Sequence, residues 1–129
     1  MLVSDLMKSN PANVESNATL GVALKKMAEH NCRHLAVVNG ANVAGILSDR
    51  DLALFYDPAS MTEQRWEEGK VSDLMTKNPT TIGSQAPLAE AAKLLVKGGF
   101  SALLVVDSGE LVGILTESDF VRHFAEQAR

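Results

Sequence analysis

Cysteine is almost missing from this chain. Cys32 is the only one in 129 residues, so no disulfide can form within it. Aromatic residues make up 5% of the sequence, which leaves aliphatic and methionine side chains to fill any core. No apolar run approaches the ~20 residues that a membrane-spanning helix needs. The opening "MLVSDLMKSN" lacks the basic-then-apolar plan of a secretory leader. Lys and Arg form no long run, and the net charge is −4, which argues against nucleic acid as a partner. No glycine-rich loop of the G-x-x-x-x-G-K type occurs, so nothing points to ATP hydrolysis. These absences lead to the expectation of a soluble cytoplasmic protein with no membrane and no nucleic-acid partner.

What is present is a unit written twice. "VSDLMKSNP" begins at Val3 and "VSDLMTKNP" at Val71. The same offset carries Leu20 to Leu88, Lys25 to Lys93, Gly45 to Gly113 and Asp51 to Asp119. It also carries "LAVV" at Leu35 to "LLVV" at Leu103. A repeat held in one register along most of the chain defines the architecture.

Each copy has the same plan. A short extended piece around Val14 or Ile82 follows the proline of the opening motif. A helix comes next, with Leu20, Ala23, Leu24 and Met27 at helical spacing in the first copy and Leu88, Ala91, Ala92 and Leu95 in the second. Pro87 suits the first helical position, where a missing N–H is harmless. Two β-rich runs follow, 35–38 with 43–47 and 103–106 with 111–115. Their breaks, "NGAN" and "DSGE", carry hairpin chemistry. A last helix starts after Ser48 or Thr116. The fold class is therefore α+β, with two β-α-β-β-α repeats. One repeat of about 50 residues buries too little apolar surface alone. Two packed sheet to sheet about a pseudo-twofold axis meet that need in one compact module. The repeats are expected at residues 1–55 and 71–129. The connector, 56–70, is polar, contains Pro58, and is expected to hold about one helical turn. Its Trp66 is expected to cover an edge of the core.

The ordered set of "VSDLM…NP", the apolar "LAVV" hairpin and "GILSDRDL" or "GILTESDF", given twice, resembles the cystathionine-β-synthase (CBS) domain pair. The resemblance covers Val3 to about Phe124. It implies a disc-like module with two pseudosymmetric clefts that bind adenosine derivatives: AMP, ADP, ATP, S-adenosylmethionine or NAD. It implies a sensor and not an enzyme, and a homodimer.

Ser48 with Asp51, and Thr116 with Asp119, admit two readings. A hydroxyl three residues before an acid makes a capping box, worth about 1 kcal/mol. The same carboxylate can accept from the two cis hydroxyls of a ribose, in charge-assisted hydrogen bonds. The two roles are compatible, because a carboxylate has two oxygens. By resemblance, one cleft joins Thr116 and Asp119 to Met7, Ala12, Val14, Cys32, Arg33 and His34. The other joins Ser48 and Asp51 to Met75, Thr80, Ile82, Phe100, Ser101 and Ala102. For Val14, Ile82 and Phe100, plain core packing is the competing reading. Arg33 and His34 make the Asp119 cleft the better seat for a phosphate, and Arg50 and Arg122 are further cations near the last helices.

Other chemistry is poorly supported. His30, Cys32 and His34 do not complete a four-ligand zinc site. A nucleophile made of Cys32 and His34 lacks an orienting partner. The reading is thus a regulatory module that requires no cofactor, takes an adenine nucleotide as regulatory ligand, and signals to an effector protein not identified by the sequence. The rival reading is a ligand-free dimeric interaction scaffold that uses its exposed helices and the linker "EQRWEEGK".

Overall fold

The computed structural model describes residues 1–56, 59 and 63–128. In chain order the elements are α1 (Val3–Leu6), β1 (Lys8–Ser9), β2 (Asn13–Glu15), α2 (Leu20–His30), β3 (His34–Asn39), β4 (Asn42–Ser48), α3 (Asp49–Phe55) and α4 (Glu63–Glu68). The second half repeats the first: α5 (Val71–Leu74), β5 (Thr76–Lys77), β6 (Thr81–Ile82), α6 (Leu88–Gly98), β7 (Ala102–Asp107), β8 (Glu110–Thr116) and α7 (Glu117–Gln127). The expected strands and helices all form. Each repeat also opens with an extra helical turn and a two-residue strand. The connector supplies α4, and its Pro58 lies outside the described residues.

The chain divides into two compact units. One comprises Ala12–Pro79, and the other Met1–Pro11 together with the chain from Thr80 onward. The units of the structure are thus offset from the repeats of the sequence, because each unit takes its opening segment from the other repeat. Each holds one four-stranded sheet, in the order β2-β3-β4-β5 in the first and β1-β8-β7-β6 in the second. The central hairpins are antiparallel; β2 and β6 add in parallel beside β3 and β7.

Backbone hydrogen bonds hold the borrowed segments. In one unit the Val71 and Ser72 amides donate to the carbonyls of Ala18 and Ser16, at 2.9 Å each. In the other the Val3 amide donates to Ala86 O at 2.9 Å and the Ser4 amide to Ser84 O at 2.8 Å. Val3 and Val71 are fully buried and join cores of Leu, Val, Ala and Met. The scarcity of aromatics is met as expected, by aliphatic packing. Trp66 packs against the core of its unit, 5.5 Å from the ring of Phe55.

Local chemistry explains the ends of the elements. α2 begins at Thr19, whose hydroxyl accepts from the Val22 amide at 3.2 Å, and ends at Asn31 in the left-handed region. α6 ends likewise at Gly99, with φ +66°. Pro87 stands one position earlier than expected, as the N-cap of α6, because its backbone is extended (ψ 137°) and bridged antiparallel to Leu2. On α2, Leu20, Ala23 and Met27 are buried, while Leu24 is 45% exposed and lies off the core face. Both hairpins turn through two residues, with Gly40, Ser108 and Gly109 at positive φ.

Two repeated pairs differ in chemistry at one position each. Ser16 donates its hydroxyl to Asn39 at 3.0 Å. The matching Ser84 donates both its hydroxyl, at 2.5 Å, and its amide, at 2.9 Å, to the carboxylate of Asp107. Those bonds from Ser84 hold the Asp107 carboxyl below the usual carboxylate range. The folded state therefore gains from this charge above the unfolded pKa of about 3.9 and loses that gain as pH falls below it. Asp107→Asn, which copies Asn39, should be less stable than the parent at pH 7. The two should converge in thermal unfolding as pH falls through the lowered pKa of Asp107; a difference independent of pH would contradict the assignment.

Gly45 and Gly113 let the borrowed strands come close. A Cβ on Gly45 would lie 2.6 Å from the Thr76 carbonyl oxygen and 2.8 Å from Met75 Sδ. On Gly113 it would lie 2.6 Å from Met7 Sδ and 3.0 Å from the Lys8 carbonyl oxygen. Backbone in an antiparallel ladder cannot yield as a methionine tip can. Gly45→Ala should therefore lose about 1–3 kcal/mol in urea unfolding, and Gly113→Ala less. Equal losses, or the reverse order, would contradict this.

Candidate nucleoside site

Both repeats bring a hydroxyl residue to the end of a central strand and an acid to the first turn of the next helix. Strand β4 ends at Ser48 and α3 follows at once; β8 ends at Thr116 and α7 follows. The turn from strand into helix is held on both sides. The Ser48 amide donates to Asp51 Oδ2 at 2.8 Å, and the Asp51 amide donates back to Ser48 Oγ at 3.2 Å. This is the reciprocal box expected from the sequence. At the second copy the Thr116 amide donates to Asp119 Oδ2 at 2.8 Å and its hydroxyl donates to the same oxygen at 3.0 Å. The capping reading therefore holds for both acids.

The cap engages only one oxygen of each carboxylate. Asp51 Oδ1 takes no hydrogen bond and no ion pair among the described residues. Asp119 Oδ1 accepts from Arg122 NH1 at 3.2 Å and lies 3.6 Å from Lys8 Nζ. Asp119 is buried, at 3% exposure, whereas Asp51 is half-buried. Lys8 reaches Asp119 because β1 pairs antiparallel with β8, Lys8 opposite Ile114 and Ser9 opposite Gly113. The borrowed opening segment thus delivers Met7 and Lys8 to the end of the strand that carries Thr116.

The remaining expected residues fall into the two units as follows. Met7, Thr80, Ile82, Phe100, Ser101, Ala102, Thr116 and Asp119 belong to one; Ala12, Val14, Cys32, Arg33, His34, Ser48, Asp51 and Met75 belong to the other. Within its unit, Arg33 offers its carbonyl to the Asp49 amide at 2.9 Å, and His34 lies opposite Ser48 in the ladder. Ser101 and Ala102 repeat the arrangement with Glu117, at 3.0 Å, and Thr116. Arg33 and His34 therefore stand beside the strand end of their own unit, next to Ser48. Val14 and Ile82 are core residues, 2% and 8% exposed, and Phe100 is half exposed with its ring over Gly98. Ala12 and Met75 pack at the edge of one core and Met7 at the edge of the other. Thr80 is half-buried, between β5 and β6.

Cys32 packs against the core of its unit and lines, with Met27, Leu52, Tyr56 and Trp66, a groove of about 470 Å³. Among the described residues no three His, Cys, Asp or Glu side chains come together as a metal site would require. Likewise among those residues, no helix is long and apolar enough to cross a membrane. Arg122 was visible in the sequence as a cation near the last helix. Lys8 carries a weaker sequence signal: it is the first of two positions at which "VSDLMKSNP" departs from "VSDLMTKNP".

With this geometry in place, comparison with known proteins is decisive for the family. The CBS domain model matches residues 3–57 and again 71–126, and the chain belongs to that family. It is 38% identical to a CBS domain-containing protein of Dictyostelium discoideum, over 94% of this chain and 89% of that one. Its fold is similar to the crystal structure of CBSX2 in complex with AMP, at 33% identity and a TM-score of 0.80, covering 99% of this chain and 98% of the other. It is also similar to the CBS domain pair of protein MJ0100 in complex with 5′-methylthioadenosine and S-adenosyl-L-methionine, at 27% identity and a TM-score of 0.84, covering 98% of both chains. The α+β architecture of two four-stranded sheets is that of these CBS pairs.

Proposed function

We propose that this chain is a regulatory module that binds an adenosine derivative and passes the bound state to a protein partner in the cytoplasm. The ribose diol sits on the carboxylate of Asp51 in one unit and of Asp119 in the other. One observation carries this reading: each acid stands at the same place in its repeat, with one oxygen fixed by the cap and the other directed elsewhere. An oxygen fixed in this way orients the second one without ordering it anew on binding. Similarity over nearly the whole chain to CBSX2, which was crystallised with AMP, supports the ligand class. The module acts as a sensor and not as an enzyme, and works as a homodimer. Its ligand shifts a conformational equilibrium by as much as its affinities for the two states differ.

A thermal-shift panel of AMP, ADP, ATP, S-adenosylmethionine and NADH tests this. A ligand at 100-fold its Kd should stabilise the fold by about 2.7 kcal/mol, which raises Tm by roughly 10 °C. Asp51→Asn and Asp119→Asn are the informative variants, since the amide retains an oxygen for the cap while losing the charge. Each should reduce the shift. No response to any compound would favour the ligand-free scaffold instead. A response unchanged in both variants would remove the ribose assignment.

A further inference from the structure

The two carboxylates are not equivalent, and the difference lies in what must be displaced. Both oxygens of Asp119 are engaged: Oδ2 accepts from the Thr116 amide and hydroxyl, and Oδ1 accepts from Arg122 and forms an ion pair with Lys8. At Asp51 the positions matching Lys8 and Arg122 are Thr76 and Leu54, neither of which can form an ion pair. Arg50, its chain neighbour, and Arg33, whose carbonyl accepts from the Asp49 amide, make no ion pair with Asp51 among the described residues. A diol can thus reach Asp51 Oδ1 directly. At Asp119 it must first replace two cations.

Those cations are well placed to yield. The Lys8 and Arg122 side chains are 58% and 57% exposed, on long flexible stems, while the carboxylate they meet is buried. A neutral nucleoside that displaced them would leave both positive charges without their partner. A nucleoside carrying a phosphate supplies a new one, and the exchange keeps every charge paired. Resting on the ribose assignment above, we infer that Lys8 and Arg122 make the Asp119 site selective for anionic, phosphorylated nucleosides, while the Asp51 carboxylate accepts neutral ones without that discrimination. Lys8 and Arg122 are specificity residues in this account, and Asp119 is the anchor.

The two repeats supply their own test. Lys8→Thr with Arg122→Leu copies the first repeat into the second. Both replacements already stand at the matching positions of the same fold, and both replaced side chains are largely exposed. Binding of AMP and of adenosine is measured by isothermal titration on the full chain carrying Asp51→Asn, so that the Asp119 site reports. Before the exchange, AMP should be favoured over adenosine by roughly five- to tenfold, less at high salt. In the exchanged chain the ratio should fall toward one, through weaker AMP binding and equal or tighter adenosine binding. The reciprocal pair, Thr76→Lys with Leu54→Arg in an Asp119→Asn chain, should raise the ratio at Asp51. A ratio unchanged by the first exchange overturns the inference and leaves the ribose assignment standing. Failure of both compounds to bind the chain with both acids intact overturns the ribose assignment and this inference together.

Discussion

The whole arrangement depends on the exchange of opening segments. Residues 3–9 do not fold against their own repeat. They lay Val3 into the core beneath β7 and β8 and pair Lys8 and Ser9 along the edge of β8. Residues 71–77 do the same for the other unit. Neither sheet has its fourth strand without this exchange, and neither core has its valine. The close approach also sets a sequence requirement, since β4 and β8 each need glycine where the borrowed methionine lies against them. A constraint of packing thereby fixes which residues flank each acid.

From that exchange follows the difference between the sites. The borrowed segments are almost the same sequence, so the two strand ends begin with the same scaffold. After the methionine they diverge at two positions, Lys8 against Thr76 and Ser9 against Lys77. Lys8 lies beside Asp119 in its unit, whereas the matching position of the other segment is the short hydroxyl residue Thr76. Arg122 on α7 adds to this, where α3 has Leu54. A duplicated chain can change the electrostatics of one site in this way without disturbing the fold that both share. Two unequal sites would let one module respond to the ratio of two related ligands and not only to the amount of one.

Much of this was legible in the sequence. The constant register of the repeat, the helical spacing after Leu20 and Leu88, and the glycine turns gave the elements, because each rests on local chemistry. The capping boxes were legible for the same reason. Less could be read of what depends on partners distant in the chain. Both repeats open with "VSDLM", so the pattern cannot say whose sheet each copy joins. Leu24 fits the apolar spacing of α2 but lies at the margin of its face, and periodicity does not locate a margin. Lys8 marks a mismatch between the two copies, and a mismatch in a repeat names no partner. The pair Lys8–Asp119 crosses from the first strand of the chain to its last helix, and only the β1–β8 pairing brings the two together.

A nucleoside that engages the carboxylates capped by Ser48 and Thr116 must change what the capping amides sense. The most direct measurement is an amide-resolved NMR titration of the ¹⁵N-labelled chain with AMP. The Ser48 and Thr116 amides donate to those carboxylates, so they report any change in the charge they face. One or both should shift progressively and saturate with the ligand. Saturable binding that leaves both amides unmoved, with the shifts confined to other parts of the chain, would contradict that engagement.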